Sequence, residues 1–279
     1  MDFRSNMENH LSRKNPLQMF VSLWRYRDLV SQLIKRDILT KYRGSFGGLL
    51  WLVLAPLLML SLYTVVFGVF MQVRWQGVSN NLMYALVIYV GLILLNFFSE
   101  CISRSPGIVV SNPNFVTKII FPLEIYPWVI VGTALFHLMI STVILVLFCF
   151  FILGKVYLTI FLFPVLCLPL ILVTLGLSWF LCSAGVFVRD ISHLMVFMMQ
   201  IIMYLSPIFY SINAIPLKFQ KFLFMNPLTF IIEQVRGIVI FGNLPHWSGL
   251  GIYLIISICI ACLGFLWFQQ TKDGFADVL

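Results

Sequence analysis

The sequence predicts an all-α integral membrane protein: six transmembrane helices, an N-terminal amphipathic interfacial helix ahead of them, and a re-entrant helix pair between spans five and six. Three observations carry this. Of 279 residues, 61% are hydrophobic and only 10% charged, against roughly 25% charged in a soluble domain. The apolar residues gather in runs long enough for a ~30 Å hydrocarbon core. The basic residues are shared unevenly between the gaps separating those runs. So little chain lies outside the runs that no soluble domain of roughly 100 residues fits. The chain divides into a cytoplasmic segment 1–47, a spanning domain 48–268 and a cytoplasmic tail 269–279.

The first roughly 45 residues are polar and hold no early apolar core, which argues against a cleaved signal peptide. From Tyr26 to Ile38, Tyr26, Leu29, Val30, Leu33, Ile34 and Ile38 recur at three- and four-residue steps, while Arg27, Asp28, Gln32, Lys35 and Arg36 take the other face. That pattern is an interfacial amphipathic helix. Gly44, Gly47 and Gly48 then allow a sharp turn into the bilayer, with Trp51 at the interface. The segment is an elbow; the alternative is a plain juxtamembrane anchor.

The spans are expected at 49–70, 82–98, 128–153, 157–187, 191–212 and 249–268. The fourth run is long, but Pro164 and Pro169 bend it, and Gly176 and Gly185 leave room for neighbouring helices. The stretch 222–241 is long enough to cross yet carries Asn226, Pro227, Glu233, Gln234 and Arg236. Charges at the bilayer centre cost about 2.5–3.5 kcal/mol each, so this stretch reads as a broken, re-entrant element sheltered by protein or water. Nine of the 18 Lys and Arg precede residue 48, and six spans place 13 on that side and five on the other. The positive-inside rule makes both termini cytoplasmic. The net charge of +8 thus follows from topology and anionic lipid, and no basic segment interleaved with aromatics points to nucleic acid.

Between spans two and three, Asn114 is placed to cap a short helix of Phe115, Val116, Lys118, Ile119 and Ile120, bounded by Pro113 and Pro122. Such an apolar knob suits a partner's groove or the lipid headgroups. Glu233 and Arg236, three apart, share a helix face and form a mutual or intersubunit pair with a structural gate role or a direct substrate contact. His137 within span three has no carboxylate one helical turn away and reads as hydrogen-bonded packing, not a proton relay. The cysteines at 101, 149, 167, 182, 259 and 262 behave as small apolar residues, with neither a disulfide nor a metal site expected.

Four blocks, "LIKRDILTKYRGSFGGLLWLVLAPLL", "NPNFVTKIIFPLEIYP", "VRDISHLMVFMMQIIMYLSPIFYSINAIP" and "MNPLTFIIEQVRGIV", resemble the permease subunit of bacterial ATP-binding-cassette exporters of polysaccharide, the O-antigen, capsule and teichoic-acid group. The resemblance runs from about residue 25 to the last span, with the blocks in family order. It implies a homodimer in the inner membrane, each subunit docked to a separate cytoplasmic ATPase, with a lipid-linked polysaccharide passing at the dimer interface. The coupling helix would fall on Asn114 to Ile120, including Phe115, Lys118 and Ile119. A second ATPase contact would fall on Arg189 and Asp190, and gate helices on about 214–240.

The chain has no G-x-x-x-x-G-K-[ST] phosphate loop, so ATP and Mg belong on the partner, and this chain binds no cofactor of its own. A polysaccharide path calls for aromatic faces that tolerate sliding. Trp51, Tyr63, Phe67 and Phe70 recur at roughly helical spacing on span one, the last three on one stripe, and Tyr204, Phe209 and Tyr210 add to them near the end of span five. Lipid-facing belts and core packing produce the same pattern. Export of teichoic acid, a drug or a lipid by a similar permease is the alternative. A membrane-embedded transferase would need a cluster of acids and bases, and only Arg189 and Asp190 with His193 approach one.

Overall fold

In the computed structural model, residues 16, 18–43, 47–70, 81–117, 121–224 and 226–278 are described. Helices α1 (Gln18–Arg25) and α2 (Arg27–Tyr42) form the elbow. Val30 and Leu33 bury against Ile125 and Val129, with Leu23, Tyr26, Leu29 and Ile34 around them. The predicted apolar stripe therefore packs on protein. At the elbow's exit, Gly48 holds a positive φ of 48°, and a side chain on Gly47 would meet the Trp51 indole. Gly44 lies outside the described residues.

Span one is α3, Trp51–Tyr63, continued by a π-helical turn, Thr64–Phe70. Leu60 is its one buried residue among those described. Span two is α4, Asn81–Val110, longer than expected because the helix runs on through Pro106. It is buried on every side from Tyr84 to Leu95, as a central helix must be. A short helix α5 (Asn114–Thr117) precedes span three, α6 (Tyr126–Leu153), which ends on Gly154 in the left-handed region. Span four is α7, Phe163–Phe187, entered through a 3-10 turn at Leu158–Leu162.

Span five departs from the expected 191–212. Helix α8 covers only Ile191–Leu205, about 22 Å at 1.5 Å per residue, short of a ~30 Å core. The cause is Pro207, which forces the residue before it out of the helical region; Ser206 is extended, with ψ 144°. Ser206 to Phe209 are buried, so the non-helical stretch is sheltered.

The re-entrant pair is α9 (Leu217–Phe224) and α10 (Pro227–Arg236, with a π turn to Phe241), bent by 99°. Asn226 caps α10 by accepting from the Leu228 N–H at 3.0 Å, and Pro227 sits in the first turn, where its missing N–H costs nothing. Span six is α11, Trp247–Thr271, followed by a 3-10 turn at Lys272–Gly274 and by α12 (Phe275–Val278). Helix thus continues into the expected tail. Among the described residues, five helices are long and apolar enough to cross a membrane, and six if the bent pair counts as one.

In a bilayer, spans associate through close packing more than through release of water. Gly176 and Gly264 face each other, and a side-chain carbon on either would strike the opposite backbone, so spans four and six touch main chain to main chain. Gly185 meets the Pro106 backbone in the same way, bringing spans four and two together. Cys101, Cys149, Cys167 and Cys182 are buried in this packing, Cys262 is half-buried and Cys259 is exposed.

Candidate functional site

At the end of the bundle away from the elbow, the structure gathers most of the aromatic residues singled out for a path. Phe67 stacks on Phe209 with centroids 4.5 Å apart at 15°. Tyr63 lies 5.0 Å from Phe209, and Tyr204 6.4 Å from it on the other side. The Tyr210 hydroxyl donates to the Tyr204 carbonyl at 3.0 Å. Phe209 is buried and held from behind, where the Tyr84 hydroxyl donates to its carbonyl at 2.9 Å. Tyr204 is 63% exposed, so the cluster has a buried root and an open face.

Two residues of the set stand apart. Trp51 lies at the elbow end over Gly47. Phe70 is 75% exposed and makes no ring contact among those described for the cluster. The π-helical winding from Thr64 to Phe70 explains this, because its wider turn carries Phe70 off the stripe that α-helical spacing predicts.

Next to this cluster, Arg236 is buried and accepted on several sides. Its guanidinium donates to Glu233 Oε1 at 2.7 Å, to the Ile208 and Val87 carbonyls at 3.0 Å each, and to the Pro207 carbonyl. The Glu233–Arg236 pair is therefore mutual within one chain. Arg236 satisfies the Pro207 and Ile208 carbonyls of the non-helical stretch that follows α8, which is how broken backbone survives at membrane depth. Further ties hold the element in place. Asn226 donates to Ser206 Oγ at 2.8 Å, the Tyr253 hydroxyl donates to the Pro227 carbonyl at 2.8 Å, and Gln234 Oε1 accepts from the His246 N–H at 2.7 Å.

At the elbow end, Asn114 is exposed and belongs to helix α5. Phe115 does not project as a free knob. It is half-buried, its ring 4.7 Å from Phe121, which in turn lies 5.2 Å from Tyr126. Lys118 and Ile119 lie outside the described residues. Arg189 and Asp190 form an exposed turn leading into α8, and His193 is exposed beyond them. The α5 region and the 188–190 turn lie at the same end of the bundle.

A polar network at this end escaped the sequence reading. Arg104 donates to both Asp37 oxygens, at 2.8 and 2.7 Å, and lies 3.4 Å from Glu100. Glu100 also meets Lys41 at 3.0 Å and His137 Nδ1 at 2.7 Å. The Tyr42 hydroxyl is 3.2 Å from His137 Nε2. A carboxylate only accepts, so Nδ1 carries a proton toward Glu100, while Nε2 shares a hydrogen bond with the Tyr42 hydroxyl. Burial and the Glu100 charge push the Tyr42 phenol above its ordinary value, which keeps it protonated. The carboxylate absent from the helical turn around His137 thus comes from another helix. The signal present in the sequence was Glu100 itself, an acid just past an apolar run. Among the described residues, no group of three His, Cys, Asp or Glu is placed to hold a metal ion.

Comparison with known proteins places these features in context. Residues 28–240 match the family model described as ABC-2 type transporter. The chain is 25% identical over 268 residues to an O-antigen export system permease protein RfbA of Myxococcus xanthus, covering 94% of this chain and 99% of that protein. It is 25% identical over 264 residues to an RfbA of Klebsiella pneumoniae, with the same two coverages. It is 22% identical over 250 residues to the polysialic acid transport protein KpsM of Escherichia coli, covering 88% and 94%.

Proposed function

The chain belongs to the ABC-2 type transporter family, and from that premise we propose that it is the transmembrane subunit of an ATP-driven exporter. Its cargo is a lipid-linked polysaccharide of O-antigen or capsule type, carried from the cytoplasm across the inner membrane. The observation that supports this most is co-linearity: relatives named for O-antigen export and polysialic acid transport align along at least 88% of the chain. The aromatic cluster of Tyr63, Phe67, Tyr204, Phe209 and Tyr210 suits such a cargo. Ring faces pack on the apolar faces of sugars without fixing one register.

In this reading the chain works as a homodimer with both termini cytoplasmic, and the force comes from a separate ATPase that carries ATP and Mg. Asn114, Phe115, Lys118 and Ile119, with Arg189 and Asp190, transmit that force at the elbow end. Glu233 and Arg236 keep the far-side gate in shape. A ligand or partner shifts a conformational equilibrium only through differential contacts with its two states, and the exposed Asn114, Arg189 and Asp190 offer such contacts.

The test is a surface-glycan assay in a strain lacking this chain, complemented with the wild type or with Tyr63→Ala and Phe67→Ala together. Glycan retained inside without the chain, restored by the wild type and reduced by the double variant is the expected result. Unchanged surface glycan in the deletion strain excludes polysaccharide as cargo and turns attention to a drug or lipid.

A further inference from the structure

The helix after span six is four residues long, too short to be stable alone, yet its first residue is among the most deeply buried side chains in the chain. Phe275 is fully buried, while Ala276, Asp277 and Val278 are exposed. Its ring lies 5.9 Å from Phe187 and 5.6 Å from Phe268. Phe187 is the last residue of α7, directly before the turn that holds Arg189 and Asp190. Helix α12 also packs on α5, which begins at Asn114.

A second tie lies at the other end of the same loop. Lys272 Nζ stands 3.7 Å from Glu124 Oε2, each side chain 18% exposed. The Glu124 carbonyl accepts from the buried Trp179 indole at 3.1 Å. Thr271 Oγ1 and Ser183 Oγ, 2.6 Å apart, fasten the base of this extension to span four. Helix α5 and Glu124, one toward each end of this loop, are thus both seated on the extension of span six.

We infer that Lys272–Val278 is the seat of the coupling loop, with Phe275 locking α5 and the 188–190 turn into one ATPase-docking surface. This deepens the reading above and rests on it. A loop of this kind transmits force only if it is stiffer than its own short helix can make it, and the stiffness comes from Phe275 and Lys272. Phe275 is a positioning residue; it need not touch the ATPase.

The test uses the full chain, tagged, in membranes together with its ATPase. Variants Phe275→Ala, Phe275→Leu and Lys272→Met are scored for ATPase retained on the purified chain, for surface glycan, and for amide exchange of 111–125 against 84–95. Phe275→Ala is expected to lower retained ATPase roughly tenfold, the equivalent of about 1.4 kcal/mol, and to speed exchange in 111–125 alone. Phe275→Leu restores most of the retention, and Lys272→Met lowers it by about two- to threefold. Full retention with unchanged exchange in Phe275→Ala overturns the inference. If that variant does not accumulate, unchanged retention in Lys272→Met overturns it. A wild type that holds its ATPase through Phe275 but moves no glycan leaves the docking surface standing and overturns the polysaccharide reading instead.

Discussion

At Glu100 a single half-buried carboxylate faces Lys41 from the elbow, Arg104 from its own helix and His137 from span three. Removing one charge from such a set leaves the others uncompensated, at a cost of about 1–3 kcal/mol, between exposed and fully buried pairs. Glu100→Gln is therefore expected to lower the melting temperature in detergent by a few degrees and to speed amide exchange in Arg27–Tyr42, with Phe163–Phe187 unchanged. Asp28→Asn is the control. Its contact with Arg27 spans 4.0 Å between side chains 60% and 88% exposed, so it should change neither. Sequence spacing reveals some of these pairs and hides others. Glu233 and Arg236 are three residues apart on one helix, so their pairing is legible before any fold is known. Glu100 and His137 are 37 apart and Asp37 and Arg104 are 67 apart. Only the packing of three helices brings them together.

The elements were legible where hydropathy and turn chemistry agree and illegible where local winding intervenes. Five expected spans are found as long helices because roughly 20 apolar residues have few other outcomes in a bilayer. Pro207 cut the fifth short and Pro106 failed to stop the second. The difference is tertiary. Pro106 is itself buried and lies where the Gly185 backbone approaches. The π turn after Tyr63 left no sequence signal, which is why Phe70 was grouped with a cluster it does not join. Small residues at Gly176 and Gly264 set the spacing of spans four and six. Gly264→Leu forces a side chain into the backbone of span four, a change of the overpacking kind that costs about 1–3 kcal/mol. The expected outcome is a lower melting temperature and reduced membrane accumulation. Gly251→Leu, at a position with open space around it, should behave as wild type.

For the molecule as a whole, the proposed function assigns ATP hydrolysis to a separate subunit, in keeping with a sequence that has no phosphate-loop motif. The purified chain in liposomes is expected to hydrolyse no ATP with Mg present, and to stimulate hydrolysis only when its ATPase is added; hydrolysis by the chain alone would contradict the reading. The first span lies at the rim of the chain, since apart from Leu60 its described residues are not buried within it. The far end of the molecule is built differently. Arg236 joins carbonyls of span two and of the broken end of span five to the re-entrant helix that carries it. The proposed gate, sewn to two spans in this way, has lost its private degrees of freedom. It cannot swing like a flap on a hinge, and any widening on that side has to displace the tops of spans two and five along with it. Under the proposed function, opening is a rearrangement of whole helical bodies, with span two the rigid link between the proposed gate and the proposed coupling end.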